Sequence, residues 1–113
     1  MYFLCLNIIE ENFPDGDIVL LRQVLQHLSN AQISKVVQKC YKYEKWVVTE
    51  HLPLGGKFHP NVDISAGPGI RLSINSGIVL TEPPFNVHNY KTRVLCEHEE
   101  HGGVIRTILF ERV

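Results

Sequence analysis

Apolar residues alternate with polar ones along some stretches of this chain and recur at helical spacing along others. Residues 2–9 are apolar on both sides of a two-residue period, with Tyr2, Leu4, Leu6 and Ile8 facing one way and Phe3, Cys5 and Ile9 the other. That predicts a first strand. Phe13-Pro14-Asp15-Gly16-Asp17 reads as a turn, with Asp17 placed to cap a helix. From Ile18 to Leu28 the apolar positions 18, 21, 24, 25 and 28 follow a helical period. Ser29 and Gln32 then have capping-box spacing, while Leu28 and Ile33 can close a hydrophobic staple. A second helix is predicted from Asn30, with Ile33, Val36, Val37 and Cys40 on its core face and Glu44 at its frayed end.

Beyond Trp46 the period turns to alternation. Trp46–Glu50 is a β-branched run, turned by Pro53-Leu54-Gly55-Gly56. Val62, Ile64 and Ala66 alternate with polar residues, as do Ile70, Leu72 and Ile74 after Gly67-Pro68-Gly69. Ile78–Glu82 forms a further run, stopped by Pro83 and Pro84. Lys91–His98 and Val104–Arg112 read as a long hairpin around His101-Gly102-Gly103. The expected fold is one α+β domain over residues 1–113, ordered β-α-α-β-β-β-β-β-β. It has a mostly antiparallel sheet of about five to seven strands, with two N-terminal helices on one face.

Two predicted strands are apolar on both faces. The first is 2–9; the last sets Ile105 and Leu109 against Val104, Ile108 and Phe110. Such strands are normally covered on both sides, and one helical layer covers only one. A curled sheet, the irregular segment 83–90 or a second chain is left to cover the other, which makes Phe3, Leu4, Cys5 and Leu6 candidate interface residues.

Composition narrows the function classes. With 11 basic and 12 acidic residues the net charge is −1, so the whole molecule has no long-range attraction to nucleic acid or acidic membrane. No apolar run reaches the roughly 18 residues of a membrane span. The apolar start lacks a basic flank and a cleavage site, and Glu10 and Glu11 follow it directly, unlike a signal peptide. Three scattered cysteines (Cys5, Cys40 and Cys96) make no disulfide framework, and a reducing cytoplasmic setting is expected.

The neutral total hides a local excess. Between Arg22 and Pro60 six basic residues (22, 35, 39, 42, 45, 57) stand against two acidic (44, 50), a balance of +4. Lys35, Lys39 and Lys42 share an arc of about 60° on the second helix, opposite its core face. With Lys45 and Trp46 they are candidate nucleic-acid-binding residues, although lysine is also the usual way to build a solvated helix face. Cys96, His98 and His101 offer three ligands of the two types zinc commonly takes, at a spacing matching no established zinc pattern. Together with His88 and Arg93 or Arg106 they also sketch a histidine-dependent hydrolase or nuclease. Gly55-Gly56-Lys57 lacks the earlier glycine and the Ser or Thr of a phosphate loop, and Gly67-Pro68-Gly69 precedes a predicted strand rather than a helix. No cofactor is expected. The expected role is macromolecule binding of the adaptor, inhibitor or immunity kind, with a protein partner, in the simplest case a second copy. Nucleic-acid binding and hydrolysis are the alternatives.

Overall fold

A computed structural model describes residues 3–113. The predicted strand 2–9 does not form: Tyr2 lies outside the described residues, and 3–6 have no regular structure. A turn follows, because the Asn7 side chain accepts from the amides of Ile9 (3.0 Å) and Glu10 (3.3 Å), which a ladder would otherwise need. Ile8, Ile9 and Phe13 pack against the core, and this segment crosses the helix described below.

The first predicted helix is also overturned. Ile18–Arg22 is a strand, β1, followed by a single 3-10 turn at Leu25–His27. Ile-Val-Leu-Leu is an unbroken, partly β-branched apolar run, the signature of a strand in a parallel sheet. Gln23, at φ +52°, ends it. The helix α1, Asn30–Cys40, forms as its capping box predicts: Ser29 Oγ accepts from Gln32 N at 3.3 Å, and Gln32 Oε1 accepts from Ser29 N at 3.1 Å. Ile33, Val36, Val37 and Cys40 are its buried face.

Next comes β2, Lys45–Pro53, and after it β3, His59–Pro60, and β4, Ser76–Gly77, which pair only with each other. The alternating stretches 62–66 and 70–75 are not strands; Arg71–Ile74 is a 3-10 turn. Its conformation is set by Arg71, which is buried and donates to Val62 O, Gln26 O, Leu28 O and Asn30 Oδ1 at 2.7–3.2 Å. Residues 78–82 pair with no strand either, because Asn61 takes their place in the bonding: it accepts from Val79 N and donates to Val79 O, both at 2.8 Å. The terminal hairpin forms as predicted, β5 being Tyr90–Glu100 and β6 Gly103–Arg112. Glu100 pairs with Gly103 around a two-residue turn at His101 (φ +47°) and Gly102 (φ +73°).

Among the described residues the outcome is one α-helix with six strands in a mixed arrangement, where two helices and a mostly antiparallel sheet were predicted. The main sheet runs β1-β2-β6-β5, with β1 parallel to β2 and the other two pairs antiparallel. One face carries Val19, Leu21, Trp46, Val48, Ile108 and Phe110. Helix α1 and the segment bearing Ile78, Leu80, Phe85 and Val87 pack onto that face to make the core. No described helix is long and apolar enough to cross a membrane.

Candidate functional site

The lysine stripe is contacted by its own chain, although the Lys35 side chain stays 56% exposed. Lys35 pairs with Glu10 at 3.2 Å, Lys39 donates to Ile8 O and, at 2.7 Å, to Glu11 O, and Lys42 donates to Phe13 O beside Asp15. Segment 8–15 thus runs along α1 with its carbonyls turned to the ammonium groups. Lys45 reaches Glu111 at 3.8 Å. Trp46 is 0% exposed, among Tyr41, Tyr90 and Phe110, and its indole N–H donates to Cys40 O. It has no face to offer a base.

At the hairpin tip Cys96 is exposed, while His98 (2.9 Å) and His101 (3.5 Å) both approach Glu100. The hydrogen bond from His98 holds the Glu100 carboxyl below its ordinary value. Among the described residues no three metal-ligating side chains gather. His88 lies elsewhere, its ring 5.8 Å from that of Tyr41. Of the candidate interface residues, Phe3 (90% exposed), Leu4 and Cys5 are open to solvent and Leu6 is half-buried.

What the sequence reading missed is the far face of the sheet. Strand register sets Leu20, Val47, Leu109 and Arg93 in one row across β1, β2, β6 and β5, and Arg22, Thr49, Thr107 and Cys96 in the next. The two threonine hydroxyls are joined at 2.8 Å. The main core cluster draws no residue from this face, although Thr49, His51 and Ile105 farther along it are buried. Leu20 is 72% exposed and Ile18 52%, with Val47 and Leu109 half-buried between them. Arg22, Lys45, Lys91 and Arg93 surround the patch, against Glu100 and Glu111. Among the described residues Arg22, Lys91 and Arg93 have no ionic partner.

The two sheet edges differ. The β5 edge carries charges at Lys91, Arg93, Glu97, Glu99 and Glu100 and breaks register at Val94/Cys96, both devices that discourage strand addition. The β1 edge carries one charge, Arg22, and no register break. Its ladder with β2 runs from Lys45 N–H on Asp17 C=O to Gln23 N–H on Thr49 C=O, using odd-numbered residues of β1. The amides of Ile18, Leu20 and Arg22 therefore point away from β2.

On the core face one carboxylate is out of place. Glu50 is 4% exposed; its Oε2 accepts from Gln26 N at 3.2 Å, and its Oε1 has no partner among the described residues. Burial pushes its pKa up to about 8, partly offset by the Gln26 amide and by Arg71. Cys40 is likewise pushed up to about 12 by burial, which keeps it an unreactive thiol. No family model, curated protein or solved structure matches this chain.

Proposed function

We propose that this chain is a protein-binding module whose open sheet face and β1 edge receive a second, different polypeptide. One observation carries the reading. The outer side of β1 sets Ile18 (52% exposed) and Leu20 (72%) beside half-buried Val47 and Leu109, an apolar strip at the sheet edge that the core cluster does not include. All-parallel sheets are normally sheltered on both sides; here the one parallel pair sits at the edge of a mixed sheet and leaves apolar side chains such as Leu20 in water. The accessible surface agrees in direction: 6982 Å², about a tenth above the roughly 6,300 Å² expected for a compact monomer of this mass.

Edge and rim narrow the occupant. Free amides at Ile18, Leu20 and Arg22 suit an added strand, and the apolar row Leu20–Val47–Leu109 suits the apolar side of a packed element. Four cations against two carboxylates around the patch call for an acidic rim on the partner. A second copy of this chain would set like charge against like, which disfavours the homodimer.

The reading can be tested by NMR on isotope-labelled protein in concentrated cell extract. Resonances of Leu20, Val47 and Leu109 are expected to broaden selectively, and Leu20→Glu to abolish the effect. Unchanged spectra, or broadening centred on Lys35, Lys39 and Lys42, would overturn it.

A further inference from the structure

On the opposite face of the sheet, a cavity of about 90 Å³ lies between β2, β6 and the segment 78–81. Val48, Leu52, Ile78, Leu80, Ile108 and Phe110 form its walls. Exposed Thr81 and Thr92 and half-buried Arg106 stand at its solvent-facing end.

The charges around the cavity are already balanced. Arg106 donates its Nε–H to Glu97 at 2.7 Å, so this cation has its counter-ion. Glu50, across the ladder from Arg106, is buried and holds its proton up to about pH 8, so it adds no charge at neutral pH. A charged ligand would exchange its hydration for apolar walls and find no unpaired counter-ion, which is costly. Water gains little there either, because apolar walls offer it few partners. A neutral apolar chain meets neither penalty and gains from leaving water.

We propose that this cavity binds a short aliphatic alcohol, its alkyl chain among the apolar walls and its hydroxyl at the Thr81–Thr92 end. Size sets the chain length: a cavity of about 150 Å³ holds the six carbons of benzene, so this one takes about four carbons. A hydroxyl suits the open end because threonine hydroxyls both donate and accept. The site stands apart from the docking face, so either proposal can fail without the other.

The test is an NMR titration of the intact protein at about pH 7 with the straight-chain alcohols from ethanol to 1-octanol, followed at Val48, Ile78, Leu80 and Ile108. Saturable shifts are expected, with affinity rising about fourfold per carbon as far as 1-butanol, the gain from burying each methylene. Beyond about five carbons the chain outgrows the cavity and affinity stops rising. Butyrate and n-butylammonium should bind at least about tenfold more weakly than 1-butanol. Val48→Ile adds a methylene to the wall and should weaken 1-butanol about fourfold. Absence of saturation, affinity that climbs through 1-octanol, or shifts centred on Leu20, Val47 and Leu109 would each overturn the proposal. So would charged probes that match 1-butanol, or unchanged binding in Val48→Ile. The comparison of chain lengths and head groups uses the unaltered protein, so it decides the question even if Val48→Ile disturbs the packing.

Discussion

Arg71 and Glu50 carry much of what distinguishes this interior, and both are charged side chains in surroundings that normally exclude them. Arg71 meets four acceptors from three separate segments, tying the 3-10 turn at Leu25–His27 to the loop after β3 and the start of α1. Lysine has a single nitrogen in place of that planar fork. Arg71→Lys is therefore expected to cost about 2 kcal/mol or more in chemical denaturation, and a loss below about 0.5 kcal/mol would contradict this role. Glu50 gives a pH dependence. Its folded-state pKa, about 8, lies above the unfolded value of 4.5, so the folded state holds the proton more tightly. Its contribution to stability is full below about pH 4.5, declines as pH rises, and is lost above about 8. The stability difference between wild type and Glu50→Gln should follow that window; a flat difference would contradict it. Neither residue stood out in the sequence. Arg71 occupied a polar slot in a clean alternation, and Glu50 looked like the last residue of a strand. Burial of a charge depends on distant acceptors, which local pattern does not record.

Elements were legible where local chemistry alone decides them. The capping box at Ser29 and Gln32 marked the start of α1 because both partners lie within one turn. Ser29→Ala should cost about 1 kcal/mol, seen as a melting temperature lower by several degrees; an unchanged one would mean the box contributes nothing. The terminal hairpin was legible for the same reason. Its tip also depends on Gly103, where an added Cβ would stand 2.5 Å from Leu52 O and 2.9 Å from the His51 ring. Gly103→Ala is expected to destabilise by about 1–3 kcal/mol, and a neutral result in thermal denaturation would contradict that contact. Elements decided by tertiary partners were misread. β1 satisfies a helical period as well as a strand's, and only its parallel neighbour β2 selects the strand. Residues 78–82 look like a strand, yet both backbone groups of Val79 bond to the Asn61 side chain and Leu80 O and Glu82 O accept from the turn at 85–87.

At the scale of the molecule, the sequence reading put its candidate interface on a strand that the described residues do not form. Of the two strands read as apolar on both faces, β6 forms, with Ile105 of its outer face buried and Leu109 half-buried. The other, 2–9, was not a strand, and the role passed to β1, which had been read as a helix. Of the lysine stripe, Lys35 and Lys39 lie on α1 outside its buried set, while Lys42 falls beyond the helix end at Cys40. The stripe's use by segment 8–15 could not be seen, because that contact joins residues about 28 positions apart. The candidate partner surface thus lies on the sheet, ringed by Arg22, Lys91 and Arg93, rather than on the helix. The most direct measurement is photo-cross-linking in intact cells from a reactive residue at Leu20, with the same residue at exposed Gln38 on α1 as control. The expected result is one acidic partner protein cross-linked from position 20 and not from 38, which forms a complex with the purified chain that Leu20→Glu abolishes. Equal labelling from both positions, or cross-links only to another copy of this chain, would contradict the account.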